Sequence, residues 1–261
     1  MLSTIKNLIR YRELLVTFTV REIKIRYKQT ILGLGWAVLQ PLTMMVIFTI
    51  IFSRFLKVES EGFPYPIFSY SALLFWTFFS TSLSFGTGSL VRMSDLIRKI
   101  YFPREIIPLS AIFASLVDML IASLIFLGMM AYYGVGFSWN LLYIPFLVLI
   151  QFVFTSGVVF LLSALNVFYR DIRHGIPFLV QIWMYASPIV YSMDVIPERW
   201  RILYVVVNPL AGLIASYRQV ILHRCPPDME NLLIVIPISL SLAVAGLYFF
   251  KKAEGNFADV I

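Results

Sequence analysis

Long apolar runs decide what this chain can be. As a helix, a run of roughly 20 apolar residues covers the hydrocarbon thickness of a bilayer, about 30 Å. Six such runs occur: Trp36 to Phe55, Ile67 to Gly86, Ile107 to Tyr133, Leu141 to Phe168, Pro177 to Tyr191 and Leu232 to Phe250. The first has Pro41 near its start, where a missing N–H matters least. The third has Pro108 in its opening turn and Asp118 inside, and the fifth is short and cut by Pro188. Between the fifth and sixth, Ser192 to Asn231 holds two apolar segments too short to cross, Ile202 to Val207 and Leu210 to Leu222. Their length suits re-entrant or interfacial helices. Only 13% of residues are charged and 60% are hydrophobic, against a usual charged share of about 25%, so a soluble core could not hide the apolar surface. The reading is an all-α integral membrane protein with six transmembrane helices and short extracellular re-entrant helices between spans five and six.

A basic amphipathic helix precedes the first span. Lys6, Arg10, Glu13, Thr17, Arg21, Lys24 and Lys28 recur at spacings of three and four and make one polar stripe. Ile5, Leu8, Ile9, Leu15, Val16, Val20 and Ile23 fall on the opposite face. A helix with a cationic face and an apolar face lies in the membrane interface. It turns through Gly33 and Gly35 into the first span. No cleavable signal peptide is expected, since the first apolar run starts behind this helix. One domain over 1–261 accounts for the pattern: an interfacial helix over 1–32, spans one to five over 33–191, an outer segment over 192–231, and span six with a short tail over 232–261.

The cations also set the orientation. With the N-terminus inside, the basic helix, the loop carrying Arg92, Arg98, Lys99 and Arg104, the Arg170–Arg173 turn and the tail Lys251–Lys252 all face the cytoplasm. Only Arg54, Lys57, Arg199, Arg201, Arg218 and Arg224 face outward. This bias satisfies the positive-inside rule with both ends cytoplasmic. The net charge of +7 flanks apolar runs instead of forming a separate patch, so anionic lipid explains it better than nucleic acid.

Enzyme chemistry finds little to stand on. There is no phosphate-binding G-x-x-x-x-G-K-[ST] loop, no H-E-x-x-H and no paired-cysteine motif, so any energy-yielding reaction is expected on another chain. His223 and the single cysteine, Cys225, are two ligands on a loop and do not make a metal site. Asp118 is the only formally charged side chain well inside a span. Intramembrane acids point to function, such as a proton site, but without a charged partner in the spans a carboxyl satisfied by neighbouring hydroxyls is favoured. The inner loop LVRMSDLIRKIYFPRE offers Ser94 as an N-cap, Leu96, Ile97, Ile100 and Tyr101 on one side, and Arg98 and Lys99 on another. Such a short ridge either docks in a partner's groove or lies on the lipid surface. Aromatics deep in the apolar runs (Phe48, Phe52, Trp76, Phe79, Trp183 and Tyr185) suit either a ring-lined conduit or ordinary helix packing.

Three ordered blocks carry a resemblance. REIKIRYKQTILGLGWAVLQPL resembles the basic helix and first span of type-2 ATP-binding-cassette exporter permeases of polysaccharides. YRDIRHGIPFLVQIWMYASPIVYSMDVIPERWR is similar to that family's hinge and outer segment, and NPLAGLIASYRQVIL to its extracellular gate helix. The resemblance implies a homodimer working with a separate nucleotide-binding ATPase subunit, which holds ATP and Mg, while this chain carries no cofactor. The cargo it implies is lipid-linked polysaccharide such as O antigen, capsule or teichoic acid, and the location a bacterial inner membrane. It makes the stretch Ser94, Asp95, Leu96, Ile97, Arg98, Lys99, Ile100 and Tyr101 the ATPase-coupling helix, and assigns Arg21, Lys24, Arg26 and Lys28 to the lipid head. Trp200, Asn208, Pro209, Tyr217 and Arg218 would form the extracellular gate. Because the sequence ends soon after span six, any carbohydrate-binding module is expected on another subunit. Two rivals stay open: an exporter of a small molecule or drug, and a proton-coupled secondary transporter using Asp118.

Overall fold

The computed structural model describes residues 10–260. Lys6, Ile5, Leu8 and Ile9, assigned above to the two faces of the basic helix, lie outside the described residues. The described chain is helical. Helix α1 spans Arg12–Tyr27, and α2 spans Gly35–Phe48 and continues as a π-helix over Thr49–Phe55. Then come α3 (Tyr65–Thr87), the short α4 (Ser89–Arg92) and α5 (Ser94–Lys99), and α6 (Ile106–Tyr132). A 3-10 turn at Trp139–Tyr143 leads into α7 (Ile144–Phe168), followed by α8 (Asp171–Tyr185), α9 (Glu198–Val207) and α10 (Pro209–Ile221). Helix α11 (Met229–Glu254) and the terminal α12 (Phe257–Val260) close the chain.

Among the described residues, four helices are long and apolar enough to cross a membrane: Gly35–Phe55, Ile106–Tyr132, Trp139–Phe168 and Met229–Glu254. The pair α9–α10, bent by 114° at its break, would make a fifth if counted as one span. Two of the six expected spans fall short for different reasons. Helix α3 has the length, at 23 residues, but is rich in Ser and Thr. It sits in the middle of the bundle, buried along most of its length, so hydroxyls bonded back to its own carbonyls, such as Ser71 to Phe68 at 2.7 Å and Thr81 to Thr77 at 2.7 Å, replace lipid-facing apolar groups. Helix α8 has only 15 residues, about 22 Å of helix. It also starts and ends earlier than expected: Pro177 lies inside it, and Pro188 stands beyond its end. Pro41 likewise falls in the interior of α2, not at its opening.

Packing follows from residue size. The most extensive helix pair is α7 with α11, and it is built on two glycines. A Cβ on Gly157 would stand 2.6 Å from the Leu242 carbonyl carbon, and one on Gly246 would strike the Gly157 carbonyl. Small residues at such crossings let backbones approach where no hydrophobic drive separates protein from lipid. Replacing Gly157 with leucine should therefore prise the pair apart and cost at least about 1–3 kcal/mol, the usual penalty for overpacking. A fall in the melting temperature of the detergent-solubilised protein is the check.

Candidate functional site

The N-terminal helix is not free on its inner face. Phe18, Glu22 and Arg26, each four residues apart, point at the bundle. Phe18 meets Phe102 edge-to-face with centroids 5.7 Å apart, just before α6 begins. Arg26 reaches α6 about three turns in: Nη1 donates to Asp118 Oδ2 at 2.8 Å and to Ser115 Oγ at 3.1 Å, and Nη2 to the Ala111 carbonyl at 2.9 Å. The Tyr27 hydroxyl donates to Asp118 Oδ1 at 2.8 Å. Burial pulls the Arg26 guanidinium below its ordinary pKa, opposed by the charge of Asp118. Burial and the bond to Asp118 push Tyr27 up, so its hydroxyl stays protonated.

This corrects two expectations. Asp118 does have a charged partner, and it comes from the helix outside the spans. Arg26 is spoken for, with a side chain only 4% exposed, so it leaves the set of cations offered to a lipid head. Arg21, Lys24 and Lys28 remain on the outer face. Val16 and Val20 are there too, exposed and not on an opposite apolar face. Together they line an open groove of about 950 Å³ whose walls are mostly apolar and carry three cations, Arg21, Lys24 and Lys28.

Near the same end, α5 covers Ser94 to Lys99 of the stretch expected to be helical, leaving out Ile100 and Tyr101, and it does not present the expected face. Met93 is the N-cap and Ser94 the first helical residue, with no side-chain cap bond. Ile97 is 4% exposed and faces the protein's own core; α12 packs alongside. Leu96 is half-buried, and Asp95, Arg98 and Lys99 are exposed. Ile100 ends the helix in extended backbone, and Tyr101 follows at 95% exposure. The apolar ridge available to a partner is therefore Ile100 and Tyr101.

Glu22, Glu105 and Glu254 are the functional-looking acids that sequence reasoning passed over. Glu22 accepts from Arg92 at 3.1 Å. Glu105, fully buried, accepts from Lys251 at 2.7 Å, and Lys251 also bonds Glu254 at 2.9 Å. Arg104 donates to the Glu254 carbonyl. Lys251 and Arg104 thus clamp the end of α11 to the start of α6. Glu22 stands four residues before Arg26, on a face that the one-stripe reading left as apolar.

At the opposite end Asn208 occupies the elbow between α9 and α10. Its amide accepts from Trp183 Nε1 at 2.9 Å and donates to the Ala186 carbonyl at 3.0 Å and Ser187 Oγ at 2.9 Å. Pro209 opens α10; Trp200 is half-exposed on α9. Tyr217 and Arg218 are not surface groups. Tyr217 stacks on Phe75 with centroids 3.4 Å apart and donates to Gln151 at 2.9 Å. Arg218, only 2% exposed, lies over the Phe68 ring at 3.6 Å and donates to the carbonyls of Ile189 at 2.7 Å and Tyr191 at 3.0 Å. It is an internal brace and not the exposed cation that its count among the outer-segment charges suggested.

Of the deep aromatics, Phe48, Trp76 and Phe79 are buried inside the single chain. Phe52 and Trp183 are half-buried against that core, and Tyr185 is half-exposed. His223 is 2.8 Å from Glu61, and no group of three metal-ligating side chains occurs among the described residues.

Residues 13–222 match the family model described as ABC-2 type transporter. Over its whole length the chain is 30% identical to the whole of the O-antigen export system permease protein RfbA of Myxococcus xanthus. It is 31% identical to a protein of the same name from Klebsiella pneumoniae, over 95% of each chain. The polysialic acid transport protein KpsM of Escherichia coli is 20% identical over 90% of this chain and 91% of its own.

Proposed function

Because this chain belongs to the ABC-2 type transporter family, we propose that it is the transmembrane subunit of an ATP-driven exporter moving lipid-linked polysaccharide, of the O-antigen kind, across the bacterial inner membrane. Two copies form the conduit, each with six crossings and both ends in the cytoplasm, and a separate subunit binds ATP and Mg. The observation that carries this reading is the groove on α1. A lipid-linked glycan bears a long hydrocarbon and a doubly charged phosphate linkage, and the groove offers Val16 and Val20 to the one and Arg21, Lys24 and Lys28 to the other. Charge-assisted contacts of this sort are the strong ones.

The remaining roles follow from position. Helix α5, with Ile100 and Tyr101 beside it, seats in the ATPase. The α9–α10 elbow at Asn208 gates the far mouth. The glycan path runs between copies, along faces of α2 and α8 that the single chain leaves exposed, such as Ile50 and Ile51 on the π segment and Phe178, Ile182 and Tyr185 on α8. A proton-coupled carrier loses its footing because Asp118 is held by Arg26 and Tyr27.

The test uses the chain and its ATPase in proteoliposomes loaded with a polyprenyl-pyrophosphate-linked glycan. ATP-dependent appearance of glycan on the far side is expected. Each cation near a membrane surface is worth about 1 kcal/mol to an anionic group. Changing Arg21, Lys24 and Lys28 together to glutamine should therefore weaken substrate stimulation of ATP hydrolysis on the order of a hundredfold in apparent affinity. Stimulation unchanged by the triple substitution would remove the groove from the pathway.

A further inference from the structure

We infer that Glu22 and Arg92 are positioning residues of transport, tying α1 to the α4–α5 elbow so that the lipid-binding groove moves with the ATPase-facing helix and not with the first span. The inference rests on the roles proposed above for α1 and α5; its own ground is the geometry between them. Arg92 is the last residue of α4, two before α5. Its Nη2 donates both to Glu22 Oε1 at 3.1 Å and to the Phe85 carbonyl at 2.7 Å. The carbonyl belongs to the end of α3, so the guanidinium is aimed before α1 arrives. Gly88 makes room for it: a Cβ there would lie 2.9 Å from Arg92 Nη1. The Glu22 side chain is 4% exposed.

The tie has a second point. Phe18, one turn before Glu22, packs on Phe102, three residues beyond the end of α5. Helix α1 therefore grips the chain just before and just after α5. A third contact, Arg26 to Asp118, fixes it to α6. Its own covalent continuation is weaker. Between α1 and α2 the backbone leaves helical geometry, with Gln29 and Gly33 both at positive φ (63° and 52°). A non-glycine residue in that region marks a sharp, non-repetitive turn. Nothing in such a linker forces α1 to follow α2, whereas three side-chain contacts bind it to α4–α6.

A purely structural ion pair and a transmitting one differ in what a tether can restore. In a Cys225→Ser background, which removes the single cysteine, Glu22→Cys with Arg92→Cys deletes the pair. The complex with the ATPase should still assemble and hydrolyse ATP, but glycan exported per ATP should fall at least about tenfold. Bridging the two cysteines with a short bifunctional thiosulfonate should restore the ratio to within about twofold of the Cys225→Ser parent. The inference is overturned if the unbridged protein couples normally, or if bridging it leaves or makes transport dead, since α1 must then separate from the elbow. Should the double cysteine variant not assemble, Glu22→Gln read against Glu22→Asp, which keeps the carboxylate, decides: equal coupling in both refutes the tie, loss only with glutamine upholds it. These readouts are separable from the α5 assignment, whose failure would appear as intact ATPase association after Tyr101→Asp.

Discussion

Alanine at Asp118 should destabilise the protein by about 3–5 kcal/mol, the usual consequence of stripping one partner from a buried ion pair. The cost arises on the other helix. Arg26 would keep a guanidinium buried between α1 and α6 with only Ser115 and the Ala111 carbonyl to receive its hydrogens. Removing both charges tells a different story, because matched apolar replacements of buried pairs are often neutral. Asp118→Leu with Arg26→Met should therefore regain most of the thermal stability in detergent and much of the ATP-driven export. The Tyr27 hydroxyl, which loses its acceptor in the double variant, sets the residual deficit. A carrier that moved protons through Asp118 would behave oppositely: the apolar double variant would fold and be inert. Export surviving in that variant is the expected result, and its complete loss at full stability would revive the proton-coupled reading.

The same pair shows how far the residues alone can be read. Five of the six long apolar runs are helices within a few residues, because span length and bounding charges are physical requirements visible in the sequence; the fifth run is displaced by six residues from its helix, Asp171–Tyr185. Helix α3 was legible as a run but not as the central one, since burial inside a bundle and exposure to lipid both tolerate apolar residues; only its serines and threonines hinted at which. The partners of Asp118 were hidden for another reason. Arg26 lies 92 residues away in sequence, and a cation on a basic helix reads as one more surface charge until the helix is docked. Arg218 misled in the same direction: its place in the segment between spans five and six made it one more outward cation, yet its three buried carbonyl and ring contacts hold the guanidinium inside the protein. Helical periodicity gave the polar stripe of α1 correctly and still missed Glu22 and Arg26, because ion pairs on an inner face break the apolar pattern that periodicity searches for.

Where periodicity does hold, one face can still be assigned to the wrong neighbour, and α5 is the case with the larger consequence. Its spacing puts Leu96, Ile97, Ile100 and Tyr101 on one ridge, but the helix ends at Lys99 and the chain then extends. That change of backbone turns Ile100 and Tyr101 outward while Ile97 stays in the core. An aspartate at Ile97 should therefore unfold the α5–α12 contact and say nothing about docking. An aspartate at Tyr101 should leave the melting temperature of the isolated subunit where it was, since the ring touches little of its own chain at 95% exposure. It should weaken association with the ATPase by at least about 30-fold, as loss of a central aromatic anchor does. Paired with Ile100→Asp the loss should pass the range of co-purification altogether. Association measured by pull-down and by ATPase activity in the membrane fraction gives the answer. If both variants hold the ATPase as the parent does, the α5 end faces lipid, and the force that drives export must enter the bundle elsewhere.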